Sequence, residues 1–169
     1  MQRAARIIYL NKTCYNGLYR VNTQGRFNVP MGSYKNPRIC EERVLRAASE
    51  ALQGAVLLAM DFSAVLDHAG KDHLIYFDPP YYTESSGFTG YAVTASGQAG
   101  FGAEEHRRLA EVVRKLDAMG CHVVVSNSDT AYTRSLYAGF RLTVVRAPRP
   151  INRNGAGRGP VEELVISNR

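Results

Sequence analysis

From residue 55 onward, short apolar runs alternate with helical patterns. The runs, 55–59, 73–77, 121–125, 140–145 and 161–166, are apolar at most positions rather than at every second one. A strand with one wet face alternates. A strand without that alternation is buried on both faces, as in a mostly parallel sheet covered by helices. The expected fold class is therefore α/β. Ligands in such sheets bind beyond the carboxyl ends of the strands. Two of those ends are Asp78-Pro79-Pro80-Tyr81 and Ser126-Asn127.

The helical patterns fill the gaps. Residues 103–119 form an amphipathic helix with Glu104 and Glu105 in its first turn and Gly120 at its end, both of which suit the helix dipole and a left-handed C-terminal cap. Residues 63–68 and 130–137 read as short helices, and residues 40–53 as a helix with Val44, Leu45, Ala48 and Leu52 on one face. Residues 3–12 read as a helix end. Residues 82–102 are a long polar loop, of the length that is usually functional. Its Gly97-Gln98-Ala99-Gly100-Phe101-Gly102 stretch follows no strand and is read as loop.

The first forty residues differ from the rest. Asn11, Asn16, Asn22, Asn28 and Asn36 are interspersed with Gly17, Gly25, Gly32, Pro30 and Pro37. This is turn chemistry, and Thr23-Gln24-Gly25 between 18–21 and 26–29 predicts a short hairpin. This segment holds seven Lys/Arg and no Asp/Glu. Residues 41–140 hold eight basic and thirteen acidic residues, and residues 141–169 hold six and two. Of the 21 basic residues 17 are arginine, whose planar fork suits phosphate and guanine edges. A basic, Asn- and Tyr-rich opening points to nucleic acid, although a solvated arginine face would give the same charge.

Other classes are excluded. Cys14, Cys40 and Cys121 are odd in number and widely spaced, and the four histidines show no ligand spacing, so neither a disulfide framework nor a metal site is expected. No apolar run approaches the ~20 residues of a membrane span. Met1 to Leu10 does not read as a secretory leader. The expectation is a cytoplasmic protein with no membrane partner.

Asp78-Pro79-Pro80-Tyr81 carries the chemistry. Two prolines stiffen the chain and leave their carbonyls free as acceptors. The turn offers a carboxylate, a rigid carbonyl and an aromatic face in one small volume. An amino group on a flat ring needs all three: the Asp78 carboxylate and the Pro79 carbonyl accept from the amine, and Tyr81 stacks on the ring. A plain strand-to-turn junction is the structural alternative.

Asp-Pro-Pro-Tyr after an apolar strand resembles the catalytic motif of amino-methyltransferases. Residues 9–22 (Tyr9-Leu10-Asn11-Lys12-Thr13-Cys14-Tyr15-Asn16-Gly17-Leu18-Tyr19-Arg20-Val21-Asn22), with Gly25 to Gly32 and Tyr34-Lys35, resemble the DNA-recognition segment of Dam-type (D12 class) DNA adenine-N6 methyltransferases. Asp61-Phe62, Phe88-Thr89-Gly90-Tyr91, Ser126 to Thr130, Ile151 to Gly155 and Val161 to Leu164 follow in that family's order, so the resemblance spans the chain.

The resemblance implies a partial Rossmann-like sheet, mostly parallel, with one antiparallel strand near the C-terminus. It implies a DNA target-recognition segment at 1–53 and an incomplete catalytic core at 54–169. The function implied is methyl transfer from S-adenosylmethionine to adenine N6 in double-stranded DNA, at GATC, on a base flipped out of the duplex. Asp78, Pro79, Pro80 and Tyr81 would be catalytic. Asp61, Phe62, Asp78 and Tyr81 would contact the cofactor. Tyr15 and Asn16 would enter the helix beside the target, Arg20 would read guanine, Leu18 and Pro30 would touch bases, and Asn11, Lys12, Asn28 and Lys35 would complete the DNA contacts. Tyr15 and Leu18 could instead be core, Arg20 a surface charge, Asn127 a helix cap, and Tyr82, Phe88 and Tyr91 packing groups. The family also has an N-terminal block with a glycine loop that cradles the cofactor, and residues 1–169 hold no such block. A separate N-terminal fragment is thus an expected partner. The alternative expectation is a DNA-binding remnant that transfers nothing.

Overall fold

A computed structural model describes residues 1–22, 24–83, 100–148 and 160–169. Phe88-Thr89-Gly90-Tyr91, the 97–99 part of the glycine stretch and Ile151 to Gly155 lie outside the described residues. The chain forms two compact units, one of Met1–Ala59 and one holding the described residues from Met60 to Arg169.

In the first unit, α1 (Gln2–Thr13) ends at Cys14, whose N–H donates to the Leu10 carbonyl at 2.8 Å. A single 3₁₀ turn, Tyr15–Gly17, follows, with Asn16 and Gly17 both at positive φ (53° and 62°). The segment is then clasped twice by antiparallel bridges, Cys14 to Met31 and Val21 to Phe27. Asn22 closes the inner loop: its Oδ1 accepts the N–H groups of Gln24 and Arg26, while Gly25 takes φ 72°. An Asn side chain and a left-handed Gly are what such a turn requires. Helix α2 (Glu42–Ala51) follows.

One expectation fails in this unit. Residues 55–59 form no strand, and Val56, Leu57 and Leu58 are 81%, 76% and 58% exposed. A strand exists only by hydrogen bonding to a neighbour, and no described strand pairs with this run. The apolar face of α2 is also uncovered, since Val44, Leu45 and Leu52 are exposed.

The second unit is a sheet with helices on one face. A 3₁₀ helix (Phe62–Asp67) leads to β1 (Leu74–Phe77), α3 (Ala103–Ala118), β2 (His122–Ser128), α4 (Ala131–Leu136), β3 (Arg141–Pro148) and β4 (Pro160–Ser167). The strand order is β1-β2-β4-β3. β1 and β2 pair in parallel, with Phe77 opposite Val125, and β4 runs antiparallel to both β2 and β3. Three strands therefore share one direction and the C-terminal strand opposes them, consistent with a methyltransferase-type α/β sheet.

Helix α3 forms because its apolar residues recur every three or four positions. Leu109, Val112, Val113 and Leu116 are buried, and they pack with Val123, Val125, Leu164 and Ile166 of the sheet. Fully burying each such side chain contributes roughly 1.5–3 kcal/mol, so this helix–sheet contact is the unit's core. Gly120, at φ 81°, reverses the chain after α3.

The strands are not buried on both faces. Leu74 and Tyr76 are 71% and 61% exposed, while Ile75 and Phe77 pack inward. The described helices cover one side of the sheet, and β1 stands at its edge. Ser126 and Asn127 also lie within β2 rather than beyond its end.

Candidate active site

The Asp78–Tyr82 turn leaves the carboxyl end of β1, beside the last three residues of β2. Those residues hold it one after another. Ser126 Oγ donates to Asp78 Oδ1 at 2.6 Å and accepts from the Tyr76 hydroxyl at 3.2 Å. Asn127 Oδ1 accepts the Tyr82 N–H at 3.0 Å. Ser128 Oγ donates to the Tyr82 carbonyl at 2.5 Å. The parallel register places these groups together, since Phe77 lies opposite Val125 and the residues beyond continue in step. Two prolines give this turn few donors of its own, so its anchorage comes from side chains of the neighbouring strand.

Asn127 is fully buried and is no helix cap. That role falls to Thr130, whose Oγ1 accepts the Thr133 N–H at the start of α4. Tyr82 packs against Tyr132, with ring centroids 4.4 Å apart.

Asp78 is exposed and Tyr81 half-buried. The Tyr81 hydroxyl donates to Glu163 Oε2 on β4 at 3.3 Å. Burial raises its pKa, and the charges of Glu163 and Asp78 add to that, with the Ser126 hydroxyl opposing. Tyr81 thus stays a neutral phenol with its oxygen end tied to β4. Pro79 and Pro80 are half-buried.

Asp61 and Phe62 open the 3₁₀ helix in the same unit. Asp61 caps it: Oδ1 accepts from the Ser63 N–H at 3.0 Å and from Ser63 Oγ at 2.6 Å. Arg108 of α3 donates to both Asp61 oxygens, at 3.0 and 3.1 Å, and lies 4.9 Å from the centre of the Phe62 ring. These contacts, the Ser63 hydroxyl first, hold the Asp61 pKa down at about 2. Phe62 packs on Phe101 (5.7 Å), and Phe101 packs edge-on to His106 (4.8 Å). His106 in turn meets Tyr82 edge-on and Asn127 at 3.4 Å. The two candidate groups of this unit, Asp61-Phe62 and Asp78–Tyr81, are therefore joined through Phe101 and His106.

The nine candidate DNA residues all lie in the first unit. Asn11, Lys12, Tyr15, Asn16, Leu18, Arg20, Asn28, Pro30 and Lys35 are all exposed there. Exposed Tyr15 (54%) and Leu18 (38%) are not core. Arg20 and Asn28 are paired: Nε donates to Asn28 Oδ1 at 2.9 Å, and a terminal nitrogen donates to the Asn28 carbonyl at 3.0 Å. Asn11 Nδ2 donates to the Gly17 carbonyl at 2.6 Å, and Lys12 pairs with Glu41 at 3.1 Å.

Sequence reasoning missed His106, Arg108 and Glu163. His106 and Arg108 lie in the first two turns of α3 and Glu163 lies within β4, among ordinary charged residues, and only the fold brings them to the turn or to Asp61. Among the described residues, no cluster of His, Cys, Asp or Glu could hold a metal, and no helix is long and apolar enough to cross a membrane.

Comparison with known proteins gives one consistent answer. Residues 1–151 match the family model of the D12 class N6 adenine-specific DNA methyltransferases. A Type II methyltransferase, M.MjaIII, of Methanocaldococcus jannaschii is 42% identical over 172 residues, covering 99% of this chain and 58% of that protein. A DNA adenine methylase of Vibrio cholerae is 40% identical, covering 98% of this chain and 58% of its own length. A Type II methyltransferase, M1.LlaDCHI, of Lactococcus lactis is 36% identical, covering 99% and 59%. The chain thus spans a little under three fifths of the length of these relatives.

Proposed function

The chain belongs to the D12 class of N6 adenine-specific DNA methyltransferases, and from that premise we propose that its Asp78–Tyr81 turn binds a flipped-out adenine for methylation at N6 in duplex GATC. The observation that carries the reading is the Ser126–Asp78 hydrogen bond of 2.6 Å, with Asn127 and Ser128 gripping the backbone of Tyr82. The carboxylate is fixed by a neighbouring strand rather than left to rotate, yet it remains exposed to a ligand.

The roles follow from the groups. Asp78 and the Pro79 carbonyl accept the two N–H bonds of the adenine amine. Pro80 stiffens the turn. Tyr81, tied at its hydroxyl, offers a ring for stacking. Acceptors aimed at the amine fix the nitrogen lone pair in line for attack, a proximity effect. They also stabilise the positive charge that grows on nitrogen as the N–C bond forms.

The methyl donor fits as S-adenosylmethionine, which supplies an electrophilic methyl on a sulfonium. Asp61 Oδ2 accepts only from Arg108 among the described residues, so it keeps a lone pair for the amine of an adenosyl group. Phe62 and Phe101 form an apolar wall next to it. Asp78 would face the amino-acid end.

The first unit would read the DNA. Arg20 suits a guanine edge, bidentate in the major groove. Tyr15 and Asn16, on a turn with a left-handed Asn and Gly, would insert beside the target. Lys12, Lys35, Asn11 and Asn28 would contact phosphate or sugar, and Leu18 and Pro30 the bases. A polypeptide resembling the family's N-terminal block would complete the cofactor site.

The test is transfer of labelled methyl groups by the 169-residue chain to a GATC duplex, a scrambled duplex and single-stranded DNA, with Asp78→Ala in parallel. Incorporation on GATC alone, lost in Asp78→Ala, supports the reading. Binding without transfer, unchanged when an N-terminal block from a relative is added, would leave a DNA-binding protein without the activity.

A further inference from the structure

His106 is a buried titratable group that the proposed chemistry leaves unused. It is 1% exposed, on the first turn of α3, with Phe101 and Tyr82 edge-on to its ring. Nδ1 lies 3.4 Å from Asn127 Nδ2, and Nε2 has no hydrogen-bond partner among the described residues.

Asn127 determines which ring nitrogen holds the proton. Its Oδ1 accepts from the N–H of Tyr82 and from that of Ser128. Its Nδ2, a donor, must then be the end that faces His106. Nδ1 can meet a donor only as an acceptor, so the neutral ring carries its proton on Nε2. The Pro80 carbonyl lies beside the ring, close enough to favour its charged form but outside hydrogen-bond geometry.

We propose that His106 is a positioning residue for the Asp78–Tyr82 turn: Nδ1 fixes the Asn127 amide in the orientation that accepts the Tyr82 N–H. This rests on the reading of that turn as the methyl-transfer site. A protonated ring would donate from both nitrogens. Nδ1–H would then face the Asn127 NH₂, and the amide would turn and withdraw its oxygen from Tyr82. The groups facing the ring set the balance. Burial among Phe101, Tyr82 and Asn127 lowers the pKa, and Glu105 and the Pro80 carbonyl oppose the shift.

Amide hydrogen exchange at Tyr82, read by NMR on the full chain, tests this without turnover. His106→Phe keeps the ring shape and removes both nitrogens. Tyr82 N–H should exchange about tenfold faster, while Val123 and Val125 in β2 stay protected. His106→Gln, which can both accept and donate, should restore most of the protection. The ring nitrogens of the unsubstituted protein should show a bare Nδ1 and a protonated Nε2. Unchanged Tyr82 exchange in His106→Phe, or a proton on Nδ1, overturns the proposal. If His106→Phe loses protection throughout β2, the ring-nitrogen measurement decides alone. In the methyl-transfer assay, His106→Phe should lower kcat with DNA affinity kept, and His106→Gln should recover it. A chain that transfers nothing would sink the functional reading, and the exchange comparison would still decide on His106.

Discussion

Ser126 Oγ sits 2.6 Å from Asp78 Oδ1, across the parallel pairing of β1 and β2. One hydroxyl thus connects the residue that follows β1 to a neighbour inside the sheet. The same hydroxyl accepts from Tyr76, and of the two acceptors in its reach the Asp78 carboxylate at 2.6 Å is nearer than the Phe77 carbonyl at 3.4 Å. Asn127 and Ser128 extend the clamp to both backbone groups of Tyr82.

Ser126→Ala removes the clamp on Asp78 without opening a large cavity. The carboxylate would gain rotamers, and a misplacement of about 1 Å at a reacting group can cost about a hundredfold in rate. The expected outcome is a fall in kcat of ten- to a hundredfold, with duplex affinity unchanged. Steady-state methyl transfer beside a binding assay checks it. A fall in affinity with kcat preserved would show that Ser126 serves the fold and not the carboxylate.

Asp61 gives the pH prediction. Its pKa in the folded chain is about 2, against an ordinary 3.8. A depressed carboxylate stabilises the fold above its unfolded pKa. That contribution is lost as pH falls from about 4 towards 2. The group is half exposed, so solvent screens the effect and it is small. The urea midpoint of the unsubstituted chain should exceed that of Asp61→Asn at pH 5, and the two should converge by pH 2. A constant gap across that range would mean that Asp61 ionises in the folded chain as it does unfolded.

How much of this was legible in the sequence depended on distance along the chain. The helix at 103–118 was readable because its apolar spacing, acidic first turn and terminal Gly120 are all local. The Asn22–Gly25 turn was readable for the same reason. The run at 55–59 misled, because apolar composition marks a strand only when a neighbour supplies its hydrogen bonds. Leu74 and Tyr76 misled likewise, since nothing local says which face of a sheet is covered. The turn at Asp78 was visible from its two prolines, but its supports were not. Ser126, Glu163 and His106 are brought to it by strand order and helix packing, from 28 to 85 residues away along the chain. Asn127 looked like a cap because it precedes a helix, yet Thr130 does the capping.

Tyr137 is 1% exposed, and its hydroxyl has no partner among the described residues. Burial pushes its pKa well above the ordinary phenol value. An unmade buried hydrogen bond is a cost of roughly 1–3 kcal/mol that deletion of the hydroxyl relieves. Tyr137→Phe keeps the ring packed against Phe140. Thermal unfolding should show a Tm equal to or above that of the unsubstituted chain. A drop equivalent to more than ~1 kcal/mol would reveal a partner for the hydroxyl.

Arg20 and Asn28 supply the prediction that separates sequence reading from charge. The Arg20 fork is already oriented by two donations to Asn28, one to the side chain and one to the backbone carbonyl. A pre-oriented guanidinium loses less freedom on meeting a base edge. Arg20→Ala should reduce the preference for GATC over a scrambled duplex by about ten- to a hundredfold, the ~1–3 kcal/mol of a bidentate base contact. Lys35→Ala should instead weaken binding to both duplexes alike and lower the salt dependence of affinity by about one counterion. Asn28→Ala should fall between them, because the backbone carbonyl still holds one nitrogen of Arg20. Fluorescence anisotropy across a salt series distinguishes the three. If Arg20→Ala weakens both duplexes equally, Arg20 is a phosphate contact and the base reader lies elsewhere in residues 11–36.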